Sequence, residues 1–156
     1  MEDNIVEFDS LLKEQPDVTN SLRGGQYERT LLMKGAIYGD TQIVSLLFKR
    51  EHDLSVVDVD GDNVFHWIVV NNDNDDDSLG LLNSLDATNI SDVINNQNRF
   101  KYTPLHLAAW RNMHKSIVWL LEHGANPTLN NIDGKRPDEH DECDDVTKRL
   151  IRSFRN

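Results

Sequence analysis

The segment Thr103–Ala109, with the sequence TPLHLAA, constrains the fold of this chain more than any other feature. Thr103 can cap a helix with its hydroxyl group, and Pro104 pre-sets the backbone for the first helical position. An apolar helical pattern follows over Ile117–Leu121, and Gly124 then suits the left-handed backbone that ends many helices. The segment therefore predicts two short helices joined by a tight turn.

The same unit recurs at the spacings that a repeat array requires. Counting 33 positions forward from Thr103 reaches the turn sequence Asp133–Pro137. Counting 40 positions back reaches Asn63, and a further 33 positions back reaches Thr30. We therefore interpret the chain as an array of related helical units rather than as one irregular helical domain.

The TPLHLAA motif, its second apolar helix and the turn Gly124–Asn126 resemble the ankyrin repeat. The resemblance implies an all-α solenoid of helix–turn–helix units with hairpin loops. It also aligns His66 with His106, a position at which this family uses histidine for structure. We expect both imidazoles to hydrogen-bond the adjacent turn and to link neighbouring repeats.

The register implies a single ankyrin-repeat domain over residues 1–156, with three full repeats between two capping repeats. In the C-terminal cap we expect a first helix from Asp138 to about Asp144, with its acidic side solvated, and a second helix over Val146–Phe154. The expected units are an N-terminal cap at 1–24, repeats at 25–57, 58–97 and 98–130, and a C-terminal cap at 131–156.

The second repeat departs from the family pattern. Trp67, Ile68 and Val69 replace the Leu-Ala-Ala of the third repeat, and larger side chains at close-contact positions should force local repacking. We assign the seven extra residues of this repeat to an acidic insertion over residues 71–77. A solvated, self-repelling loop is the expectation there, and a docking site for basic residues or a cation is the alternative.

The charge of the chain is concentrated in its middle third. The 27 acidic residues exceed the 16 Lys and Arg residues, which gives a net charge of -11. Eleven of the acids and no Lys or Arg lie between Glu51 and Asn98. Such a balance argues against a nucleic-acid partner, which needs clustered positive charge. It favours a protein partner with a basic patch beside apolar pockets, bound in a salt-dependent way.

The sequence contains metal-capable residues but no established ligand pattern. Asp58–Asn63 resembles a calcium loop, yet such a loop needs Gly at its sixth position and Glu at its twelfth, where Asn63 and Val69 stand. The stretch Glu139–Asp144 lacks a second His or Cys at zinc-ligand spacing. No phosphate-binding or catalytic motif occurs, so we expect no cofactor, no metal and no enzymatic activity.

The cellular setting follows from the single cysteine and the hydropathy. Cys143 has no cysteine partner in the chain, and a reducing compartment is the simplest home for it. No apolar run is long enough to span a membrane, and Met1–Asp9 lacks the apolar core of a secretory signal. We expect a cytoplasmic monomer without membrane contact, with the nucleus or a host-cell cytosol as alternatives.

The resemblance also implies where a partner binds. In this family the hairpin tips and the exposed side of the first helices form a concave surface, here called the hairpin face. Trp110, Arg111, Phe100 and Tyr102 are the expected anchors, because aromatic residues and Arg dominate interface hot spots. The alternative for Phe100 and Trp110 is packing against a neighbouring hairpin. The variable positions of this face include Val59 and Ile132. The predicted contact residues among the variable positions are Tyr27, Arg29, Tyr38, Asp60, Asp62, Arg99, Phe100, Tyr102, Trp110 and Arg111.

The sequence therefore predicts a non-enzymatic protein-interaction module that acts as an adaptor or as an inhibitor. An effector from a microbe or virus that binds a host signalling protein is the alternative. A metal-binding or enzymatic protein is a more distant one.

Overall fold

The computed structural model describes residues 29–49, 53–72, 74–85 and 90–155. These residues form seven α-helices and one 3₁₀ helix, and the predicted N-terminal cap at 1–24 lies outside them. In chain order the helices are α1 (Leu31–Ile37), α2 (Thr41–Phe48), α3 (Val64–Asn71), α4 (Asp75–Ser84), α5 (Pro104–Trp110), α6 (His114–Glu122), the 3₁₀ helix (Pro137–Glu139) and α7 (Asp145–Ser153).

The helices form two parallel rows. The first helices of successive units, α1, α3, α5 and the 3₁₀ helix, contact one another in that order. The second helices, α2, α4, α6 and α7, form the other row, and each packs on the first helix of its own unit. The predicted all-α repeat architecture is confirmed.

Each of the three first α-helices begins at a side chain that caps it. The side-chain oxygens of Thr30, Asn63 and Thr103 each accept a hydrogen bond from the backbone N–H three residues later, at 3.2–3.3 Å. These caps satisfy amide groups that have no partner inside a helix. The caps lie at the positions from which the sequence spacings of 33 and 40 were counted.

The core lies between the two rows of helices. Phe65, Ile68 and Leu82 are fully buried in the second repeat, as are Leu105 and Leu120 in the third. Where the third repeat has the small Ala108 and Ala109, the second repeat buries Ile68 and Val69 completely.

The prediction that residues 71–77 form an inserted loop is wrong. Asn71 is the last residue of α3, and Asp75 begins α4. The first helix and the second helix start 11 positions apart in this repeat and 10 positions apart in the third, so the turn is barely longer. Most of the extra length follows α4 instead, between Ser84 and Thr103.

The C-terminal unit differs from the prediction in its first helix. A single 3₁₀ turn over Pro137–Glu139 replaces the helix expected from Asp138 to about Asp144, while α7 lies within one residue of the predicted second helix. Asp138 is not solvated but buried, and its carboxylate binds the guanidinium groups of Arg152, at 2.8 Å, and Arg155. This ion triad attaches α7 to the end of the array.

Candidate partner-binding face

The three described hairpins between units share the same turn geometry. In each, the side-chain oxygen of an Asp or Asn accepts hydrogen bonds from the backbone N–H groups two and four residues later, at 2.9–3.0 Å. Such side-chain turns fix the loop backbone, and the residue after the tip takes a left-handed conformation. The turn-forming residues are Asp58, Asn98 and Asn131, and the left-handed residues are Gly61, Lys101 and Gly134.

Backbone hydrogen bonds join consecutive hairpins into a row. The Arg99 N–H donates to the Asp60 carbonyl at 2.9 Å, and the Ile132 N–H donates to the Phe100 carbonyl at 3.0 Å. The two bonds occupy equivalent positions in successive hairpins. The hairpin tips are therefore held at fixed separations and present a continuous surface.

Apolar side chains stand exposed along this row. Val59, Phe100 and Ile132 are 51%, 45% and 59% exposed. Tyr38 and Trp110 add exposed aromatic rings at the ends of α1 and α5. Val59 and Ile132 are among the variable positions that the sequence assigned to this face, and both lie directly after the turn-forming Asp or Asn.

Among the predicted contact residues, Arg99 and Phe100 lie together at the tip of the hairpin that Asn98 closes, in the third repeat. The Arg99 guanidinium lies 4.6 Å from the centre of the Phe100 ring and 2.6 Å from the Asp60 carboxylate. Trp110 is half-exposed, donates its indole N–H to Glu142 and lies 5.8 Å from the His140 ring. These side chains remain accessible to a partner.

Three other predicted residues are engaged within the array. Arg111 donates to the backbone carbonyls at the end of α3, those of Val69 and Val70. Arg29 lies 3.8 Å from the centre of the Trp67 ring. The Tyr102 carbonyl accepts a hydrogen bond from the preceding repeat, and its ring meets His106 edge-on. Tyr27 lies outside the described residues.

Asp62 occupies a partly buried position between two hairpins. Its carboxylate accepts a hydrogen bond from the Asn98 amide at 2.9 Å. Burial raises the pKa of Asp62 to about 6, although the Asn98 hydrogen bond acts in the opposite direction. The nearby charges of Asp58 and Asp60 raise it further. The second hairpin therefore holds negative charge that the fold compensates incompletely.

The two aligned histidines lie behind this face and serve the structural role predicted for them. In each, Nδ1 accepts the N–H of the helix-capping residue at 3.1–3.2 Å. Nε2 donates to a carbonyl of the next hairpin, Tyr102 for His66 at 3.0 Å and Lys135 for His106 at 3.2 Å. Burial lowers the pKa of both imidazoles to about 4. Both are therefore neutral at pH 7 and link one repeat to the next.

The acidic residues in the first turn of α4 are used mainly for contacts between repeats. Asp75 accepts hydrogen bonds from the backbone N–H groups of Lys115, at 2.6 Å, and Ser116, at 3.0 Å, which begin α6. Asp76 pairs with the Lys115 ammonium group. Because Met113 provides no side-chain cap for α6, Asp75 of the preceding repeat supplies it. The missing cap was the sequence signal for this contact.

The remaining reactive group lies away from the face. Cys143 is buried, its thiol lies 3.3 Å from the Ala109 carbonyl, and burial raises its pKa. Within the described ranges no three His, Cys, Asp or Glu residues are arranged to hold a metal ion. None of the helices in that part of the chain is both long and apolar enough to cross a membrane.

Stacked helical pairs with a row of linked hairpin tips define a helical solenoid of the repeat-protein class. A family model described as ankyrin repeats, in three copies, matches residues 32–131. The match spans more than half of the chain, and the protein belongs to the ankyrin repeat family. Repeats of this family are generally protein–protein interaction modules and typically non-enzymatic. No curated protein matches the chain.

Proposed function

We propose that the chain is a non-enzymatic interaction module that acts as an adaptor or an inhibitor through its hairpin face. The observation that carries the proposal is the row of exposed apolar tips at Val59, Phe100 and Ile132. Side-chain turns and backbone hydrogen bonds fix these tips, so little conformational entropy is lost when a partner binds.

The charges beside the tips support a partner of mixed chemistry. Asp60 and Asp62 lie at the second hairpin, whereas Arg99 and Lys101 lie at the third. A partner that places a Lys or Arg near the acidic hairpin and an apolar group near Phe100 would complement both. Its association should weaken with salt, because half-exposed charges are screened.

The contacts within the array reduce the number of residues that can serve as anchors for a partner. Arg111 already binds carbonyls of the preceding repeat and the Tyr102 ring packs edge-on against His106, so replacing either side chain would disturb the fold as well as a partner. Phe100 and Trp110 are exposed and aromatic, and they remain the proposed anchors together with Ile132. We also propose a cytoplasmic location, on the basis of the single buried cysteine.

The experiment compares partner capture by the full chain and by the double variant Phe100→Ala with Ile132→Ala. Partners captured by the wild-type chain are identified, and the affinity of the most enriched one is then measured. Loss of two central apolar anchors should weaken binding at least about 30-fold, which is about 2 kcal/mol. Far-ultraviolet circular dichroism should stay unchanged, because both side chains lie on the surface.

A matched control is available in Phe154→Ala. Phe154 is 42% exposed, close to the 45% of Phe100, but it follows α7 at the end of the array. This variant should bind the partner as the wild-type chain does. Equal binding by the double variant, or equal loss in the control, would show that the hairpin face is not the binding surface.

A further inference from the structure

The row of second helices carries an apolar groove on the side of the molecule away from the hairpins. The groove has a volume of about 450 Å³ and runs over α6. Leu79 of α4 forms one wall, Leu150 of α7 forms the other, and Val118 and Trp119 of α6 form the floor. No residue of the hairpin face lines this groove.

The shape of the groove follows the axis of α6. The residues of α6 that line it lie at positions 114, 115, 118, 119 and 122, a spacing that follows one side of a helix for two turns. At 1.5 Å per residue, the nine residues of α6 extend about 13 Å. A straight trough between two helices fits the ridge of a third helix.

A ring stack holds the floor of the groove in place, and the apolar surface continues along α7 beyond Leu150. Trp119 is nearly buried and stacks on His123, with ring centres 3.8 Å apart. Val146 lies one helical turn before Leu150 on α7 and is 41% exposed. An apolar surface of this kind binds best to a partner that covers it along the helix direction.

The charges at the two ends of the groove differ. At one end Lys115 and His114 already pair with Asp76 and Asp144. At the other end the Glu122 carboxylate is exposed and pairs with no other residue in the described part of the chain. The C-terminal end of α6 adds partial negative charge at the same place. This end of the groove therefore favours a cation.

We propose that this groove binds an amphipathic helix of another protein, with its apolar residues on the α6 floor and a Lys or Arg at Glu122. A second copy of this chain is a poorer occupant, because each copy carries a net charge of -11 and the two would repel. The proposal goes beyond the proposed function of the hairpin face and uses a different surface.

The test uses a phage-displayed library of helix-forming peptides selected on the immobilised full chain. Peptides with apolar residues at positions i, i+4 and i+7 and at least one Lys or Arg should be enriched. A synthetic copy of the most enriched peptide should bind Val118→Lys at least about tenfold more weakly than the wild-type chain, a difference of about 1.4 kcal/mol. Glu122→Arg, a change at an exposed site, should weaken it several-fold without any cost to folding.

The control is Val59→Lys, which places the same new charge on the hairpin face and should leave peptide binding unchanged. The proposal would be overturned if the enriched peptides lacked helical spacing. It would also be overturned if Val118→Lys and Glu122→Arg both bound the peptide as tightly as the wild-type chain does. Sedimentation of the wild-type chain as a dimer that Val118→Lys dissociates would assign the groove to a second copy instead. Loss of binding only in Val59→Lys would assign the peptides to the hairpin face.

Discussion

The second and third repeats share one polar framework but differ in bulk and charge. Each has a side-chain-closed hairpin, a capped first helix and a buried histidine that reaches the next hairpin. The second repeat buries Ile68 where the third has Ala108, and its hairpin carries three carboxylates. The comparison shows that hydrogen bonds set the repeat geometry, while packing and charge are specific to each repeat.

The two repeats also depend on each other. The third repeat has no side-chain cap of its own for α6, and Asp75 of the second repeat provides it. Arg111 of the third repeat in turn donates to the carbonyls that end α3 of the second. The carboxylates that seem to be in excess within the second repeat therefore bind donor groups of the third repeat.

The largest expected effect tests the difference in bulk. Ile68→Ala should lower the free energy of unfolding by about 3 kcal/mol, because it leaves a cavity in a fully buried site. The reciprocal change Ala108→Ile should cost about 2 kcal/mol through overpacking. Urea denaturation measures both. If Ile68→Ala cost less than about 1 kcal/mol, the two repeats would be interchangeable and the comparison would fail.

A smaller effect tests the dependence between repeats. Asp75→Ala should cost about 2 kcal/mol in the free energy of unfolding, because it removes the acceptor for two backbone N–H groups and the Ser116 hydroxyl. Asp76→Ala is the matched control from the same acidic run. Its exposed ion pair with Lys115 should contribute little to stability, because water and salt screen exposed charges. Equal costs for the two variants would contradict the capping role.

The smallest effect tests the difference in hairpin charge. Asp62 has a pKa of about 6 in the folded chain against 3.8 for an unperturbed aspartate, so the folded state binds more protons between these values. The stabilisation this gives is present below pH 3.8 and is lost as the pH rises through 6. Asp62→Asn, which does not titrate, should therefore raise the Tm by about 2–4 °C at pH 7 and by nothing near pH 3.5.

Thermal melts from pH 3.5 to pH 7 measure this difference. Tyr102→Phe changes the equivalent residue of the third hairpin without altering a carboxyl group, so its Tm difference from the wild-type chain should stay constant over this range. A constant difference for Asp62→Asn as well would show that Asp62 does not titrate as described.

Local signals in the sequence predicted the helix caps and the structural histidines. The caps Thr30, Asn63 and Thr103 and the Nδ1 atoms of the paired histidines each make a contact three residues away, and all of these contacts form. The extra length of the second repeat was assigned to the wrong segment, because the local signal there was misleading. An acidic run suggests a loop, but Asp75–Asp77 stabilise a helix N-terminus, where negative charge is favourable.

The sequence alone determined the architecture, because capping, left-handed turns and apolar periodicity are properties of neighbouring residues. It also located the hairpin tips at which Phe100 is exposed. Only the tertiary structure decided which polar residues serve the fold and which remain available. Asp75, Arg111 and Asp138 all look solvated in sequence, yet each binds a group in another element. Such contacts join residues far apart in the chain, so a local pattern can show that a cap is missing but does not identify the group that supplies it.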